Sequence, residues 1–92
     1  MKGDSEAMDA CGMKIAPRDG VNPEEGIREY GDVLFADPVN NKYPVDTPAH
    51  IHAAWSYIHH ERDAAFYSPD DVACVERRIR EAAASQGITL GS

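Results

Sequence analysis

The sequence predicts an α+β fold: an antiparallel two-helix hairpin packed with a short N-terminal β-ribbon, preceded by a flexible tail. Three observations carry that expectation. Thr47-Pro48 and Ser68-Pro69 each open a stretch of helical apolar spacing. Only about seven residues separate the two stretches, and short links join antiparallel neighbours. Two brief apolar segments, Val33-Leu34-Phe35-Ala36 and Tyr43-Pro44-Val45, flank a turn-forming run just before the first helix.

Residues 1–29 are rich in Gly, Asp and Glu, with Pro17 and Pro23 as breakers and few large apolar side chains. Such a segment buries too little surface to offset its ordering entropy, so a mostly flexible tail is expected. Met13-Lys14-Ile15-Ala16 alternates and is the one candidate edge strand within it. A single small domain is expected over residues 30–88. Its ribbon turns at Asp37-Pro38-Val39-Asn40-Asn41-Lys42, where proline and asparagine favour a turn. Pro44 has no N–H to donate and is confined to an edge.

Thr47 reads as an N-cap with proline at the first helical position, where the missing N–H costs nothing. Ile51, Ala54, Trp55 and Ile58 then follow at i, i+3, i+4 and i+7, which places them on one face of a helix running from Pro48 to about His60. Ser68 is the cap of the second helix, with Asp70 and Asp71 beside the positive end of its dipole. Val72, Val75, Ile79, Ala82 and Ala83 continue its stripe, and Gly87 is placed to end it. The expected core is Ile51, Trp55, Ile58, Phe66, Val72, Val75 and Ile79, with Leu34, Phe35 and Val45 covering the open side. Trp55, as the largest apolar side chain, is expected to sit between the helices.

With 16 acidic and 9 basic residues the formal charge is −7. A nucleic-acid partner is not expected, because phosphate recognition draws on a positive footprint. Nor is an anionic membrane surface. No apolar run approaches the ~20 residues of a membrane span, and the first residues do not read as a secretion signal. The expected location is cytoplasmic, and the expected state a monomer. In a reducing compartment the two cysteines, Cys11 and Cys74, are not expected to pair.

His50, His52, His59 and His60 all fall on or beside the first helix. The effective zinc spacing, two histidines at i and i+4, is absent. His52 and His59 lie two turns, about 10 Å, apart on an ideal helix, too far to share an ion. His52, His59 and His60 are therefore only weak candidates for metal ligands, and solvated or locally bonded histidines are the plainer expectation. Arg77, Arg78 and Arg80 form the one basic cluster. Nearby Asp70, Asp71, Glu76 and Glu81 make local ion pairs its ordinary use, with a small phosphate- or acid-binding patch as the sharper one. No nucleophile, acid–base pair or calcium loop stands out. Catalytic residues and cofactors are accordingly none, and no enzyme is expected.

The run Phe35-Ala36-Asp37-Pro38, then Lys42-Tyr43-Pro44-Val45-Asp46-Thr47, His50 and Ala53-Ala54-Trp55-Ser56-Tyr57-Ile58 has a wider echo. With Ala64-Ala65, Tyr67-Ser68, Ile79 and Gly87-Ile88, it resembles a small uncharacterised domain of bacterial and phage-derived proteins. The resemblance covers residues 30 to 88. It implies a domain found alone or appended to phage proteins, some linked to head assembly, and it transfers no activity. Together these readings point to a non-enzymatic protein–protein interaction module of prophage origin, its protein partner unidentified. The alternative is a small metal- or ligand-binding protein using His50, His52, His59, His60 and Cys74.

Overall fold

The computed structural model describes residues 11–60 and 65–91, and the fold they form is α+β. In chain order the elements are helix α1 (Pro23–Tyr30), strands β1 (Phe35–Asp37) and β2 (Lys42–Pro44), and helices α2 (Pro48–His59) and α3 (Pro69–Ser85). The strands form a two-stranded antiparallel sheet, with Phe35 opposite Pro44 and Asp37 opposite Lys42. Helix α2 packs on α3 and on β2, while β1 packs on α3. Residues 61–64, in the expected helix connection, lie outside the described residues, as do residues 1–10.

Local chemistry sets the helix ends. The Thr47 side chain accepts from the His50 amide (3.1 Å), and Ser68 accepts from Asp71 (3.2 Å), each satisfying a first-turn donor. At the other end of α3, Gly87 adopts φ +68°. That conformation lets Ile88 N–H reach Ala83 O (2.8 Å) and Gly87 N–H reach Ala84 O (3.2 Å), the paired bonds of a Schellman stop.

Ile51, Ala54 and Ile58 of α2 meet Val75, Ile79, Ala82 and Ala83 of α3 in the core, joined by Ala36 of β1 and by Val45 just after β2. Phe35 is buried too. Four residues of the expected core and its cover sit elsewhere. Trp55 and Val72 are only partly buried and pack against its margin. Trp55 stands one position beyond Ala54, about 100° around the helix, at the edge of the stripe. Its indole N–H donates to Gly91 O (2.9 Å), so it anchors the last residues rather than filling the interior. Phe66 is 57% exposed, because its neighbour Tyr67 takes the inward place. Leu34 is 60% exposed and lies outside the core, while Phe35 is buried together with Ala36 and Asp37.

The segment before residue 30 also differs from expectation. Residues 11–13 are helical and residues 14–15 turn and bend, so the expected edge strand at Met13-Lys14-Ile15-Ala16 is not formed. Ile15 is 2% exposed and belongs to the core. Cys11 and Cys74 form a disulfide across 63 positions, with Cα atoms 6.0 Å apart, against the expectation of no bond. Cys74 is buried, although it lies off the predicted stripe, because α3 is covered on more than one side. The expected boundary at residue 30 therefore falls inside packed chain.

Candidate functional site

Asp37 is the polar centre of the molecule at 0% exposure. Its Oδ1 accepts from the backbone amides of Val39 (3.1 Å) and Asn40 (3.0 Å), which closes the turn after β1. Its Oδ2 accepts from Asn40 Nδ2 (2.8 Å) and from the Tyr67 hydroxyl (2.6 Å). Asn40 in turn binds the N-terminal segment, accepting from Arg18 N (2.7 Å) and donating to Ala16 O (3.2 Å). Burial first, and then the hydrogen bond to the Asp37 carboxylate, push the Tyr67 phenol far above its ordinary range. Buried polar groups of this kind hold a fold in one arrangement when every donor finds an acceptor. The Phe35-Ala36-Asp37-Pro38 and Tyr67-Ser68 motifs are thus structural.

The outward-facing site is a groove of about 360 Å³ where α1 lies across β2 and α2. Helix α1 supplies Glu25, Gly26, Glu29 and Tyr30; β2 and its turn supply Asn41, Lys42, Tyr43 and Pro44; α2 supplies His50, Ala53, Ala54 and Tyr57, with Arg18 at the margin. The seating of α1 follows from its sequence. Asn22 accepts from Glu24 N (3.0 Å) and Pro23 holds the first turn. Asn41 Nδ2 donates to Pro23 O (2.9 Å). Gly26 lets the helix approach closely, since a Cβ there would stand 2.3 Å from Asn41 O. No residue of α1 is buried, so the helix roofs the groove without joining the core.

The groove floor carries backbone strain. Tyr43 has φ +60°, a conformation costly for a bulky residue and more so before proline. That twist sets its ring 6.2 Å from that of Tyr67. At the mouth, the Tyr30 ring meets His50 edge-on with centroids 5.4 Å apart. The Tyr30 phenol is raised above its ordinary pKa, chiefly by burial and then by the adjacent Glu29 carboxylate. His50 Nδ1 lies 2.6 Å from Asp46 Oδ1, and this hydrogen bond holds the Asp46 carboxyl below its usual value. Tyr57 remains 56% exposed at the rim.

The histidines do not converge. His50 serves Asp46 at the groove mouth. His59 Nδ1 donates to Trp55 O (2.7 Å), and its Nε2 faces Glu76 at 2.8 Å, an ion pair when the ring is protonated. His52 and His60 are exposed. Among the described residues no three His, Cys, Asp or Glu side chains are grouped to hold a metal ion. Cys74, one member of the alternative ligand set, is committed to the disulfide and offers no thiolate. The arginines are dispersed as well. Arg78 donates to Ala36 O (2.8 Å) and Phe35 O (3.0 Å), and the Arg80 guanidinium lies 5.5 Å from the Trp55 ring centre. Arg77 is exposed.

His50 stands out in the sequence, but the groove does not. The signal for α1 was nevertheless present. Asn22-Pro23-Glu24-Glu25 repeats the cap, proline and paired acids of Ser68-Pro69-Asp70-Asp71.

Fold and site together define a small α+β domain with a tyrosine-walled groove and a buried carboxylate centre. The chain belongs to a family of unknown function, DUF6582, which matches residues 11–92. The match takes in the disulfide cysteine Cys11 and residues 11–29 along with the rest. No curated protein and no solved structure matches the chain. Among the described residues no helix is long and apolar enough to cross a membrane.

Proposed function

We propose that the domain is a non-enzymatic interaction module, an antiparallel helical hairpin braced by its ribbon, that docks a segment of a partner protein in the tyrosine groove. The observation that carries this reading is the exposure of large rings around an open groove. Tyr30 and Tyr57 stand at its mouth and Tyr43 on its floor. Tyrosine combines large contact area with few rotatable bonds, which is why it recurs at the centres of protein interfaces. The twisted Tyr43 backbone supports the same reading, because strain of this kind persists where a side chain must be held in place. The titratable groups lining the groove are two carboxylates, three phenols, an imidazole bonded to Asp46, a lysine and an arginine. None of them is a serine, threonine or cysteine nucleophile, which favours binding over chemistry. The disulfide removes one ground for placing the chain in a reducing compartment.

Affinity capture with the intact, oxidised chain tests the proposal. The wild type and a Leu34→Ala control retain the same partner, and Tyr57→Ala loses it. Failure to enrich any protein reproducibly, or equal retention by Tyr57→Ala, overturns it.

A further inference from the structure

The chemistry of the groove also bears on what enters it. Glu25 and Glu29 sit four residues apart on α1, so they stack on one face of that helix, and both line the groove. Neither has an ion-pair partner among the described residues, where Arg28 pairs with Glu24 instead. The two cations on the lining come from the other side. The Arg18 guanidinium already stacks over the Phe66 ring at 4.3 Å and lies 5.3 Å from that of Tyr67. Lys42 sits at the start of β2, beside the turn. The α1 wall is therefore negative, and the rings of Tyr30, Tyr43 and Tyr57 stand near it.

We propose that the occupant is a basic segment of a partner protein, with one lysine or arginine side chain between the tyrosine rings and its charged head toward Glu25 and Glu29. This rests on the docking reading above. Ring faces attract cations, and the long apolar stems of lysine and arginine cover aromatic surface while their heads stay near charge. The formal charge of −7 adds long-range attraction for a basic partner. An acidic segment would meet two carboxylates that have no ion pair among the described residues. A proline-rich segment would use the rings and leave those carboxylates without a role.

The test is amide chemical-shift titration of the ¹⁵N-labelled full chain with three blocked peptides: one alternating Lys and Gly, one alternating Glu and Gly, and one neutral and proline-rich. The Lys-Gly peptide shifts amides in residues 25–30, 42–44 and 50–57. A Glu25→Gln/Glu29→Gln double variant weakens its binding about tenfold, and added salt weakens it further. Both side chains are exposed, so the variant keeps its fold, which its own spectrum verifies. Binding of the Lys-Gly peptide that ignores the double substitution overturns the assignment of the occupant. So does preference for the acidic or proline-rich peptide at the same amides, although docking in the groove then stands. Absence of shifts with all three peptides overturns both.

Discussion

Replacing Asp37 with alanine tests the buried centre most directly. Its carboxylate accepts four hydrogen bonds at 2.6–3.1 Å, two from turn amides, one from Asn40 Nδ2 and one from the Tyr67 hydroxyl. Asn40 Nδ2 keeps Ala16 O as a second acceptor at 3.2 Å, but the turn amides and the Tyr67 hydroxyl lose this one. A buried donor left without an acceptor costs about 1–3 kcal/mol. Relief from desolvating a carboxylate offsets part of the sum, so Asp37→Ala is expected to cost about 3 kcal/mol. For a domain of this size that lowers Tm by roughly 12–24 °C. Tyr67→Phe removes one donor to a charged acceptor and is expected to cost about 1.5 kcal/mol. Because the two changes break one shared bond, the double variant is expected to fall short of the sum by about 1 kcal/mol or more. Urea unfolding of the oxidised protein, with the slope checked for constancy, supplies all three values. A cost below 1 kcal/mol for Asp37→Ala, or strict additivity with Tyr67→Phe, would refute the view that this carboxylate organises the turn and the helix entrance.

Further predictions concern other parts of the molecule. Reducing the Cys11–Cys74 bond, which spans 63 positions, removes about 4 kcal/mol of stability by the loop-entropy relation; a urea midpoint that is insensitive to reductant would contradict the crosslink. In an ultraviolet titration Tyr67 is expected to stay protonated through the region near 10.0 where exposed phenols ionise. Its folded pKa lies above the unfolded value, so its contribution is whole below pH 10 and lost as pH rises beyond it, by up to about 1.4 kcal/mol per pH unit. Asp46 behaves in the opposite sense: its lowered carboxyl stabilises the fold above the ordinary value of 3.8, and that contribution fades as pH falls through the lower, folded-state value. Its effect is small because the pair with His50 is partly exposed. Gly26→Ala, despite the better helix propensity of alanine, forces α1 away from Asn41 O and is expected to speed amide exchange in Pro23–Tyr30 while unfolding elsewhere is little changed; unchanged exchange there would show that the close approach is not needed.

The sequence carried the parts of the fold whose causes are local. Thr47 and Ser68 cap through side chains three residues from their donors, and Ile51, Ala54, Ile58, Val75 and Ile79 follow from spacing alone. Trp55 and Phe66 depart from the expected core because size does not set depth; one sits at the margin of its stripe, and the other yields to a tyrosine whose hydroxyl has a buried partner. The disulfide and the packing of Ile15 depend on where distant segments meet, which no spacing within residues 11–29 encodes. The groove was hidden for the same reason. Its walls come from three elements, and α1 buries nothing that an apolar pattern could reveal.

Arg78 reaches beyond its own helix with a consequence for solubility. A sheet of only two strands has no interior strand, so its backbone acceptors are open to pairing with another molecule. The guanidinium fork of Arg78 already engages the carbonyls of Phe35 and Ala36. A stray extended peptide seeking to add itself along β1 finds the Phe35 acceptor engaged, and a lysine, lacking the planar fork, could not bond both carbonyls in the same way. The helix thereby guards the ribbon against the intermolecular stacking to which such short sheets are prone.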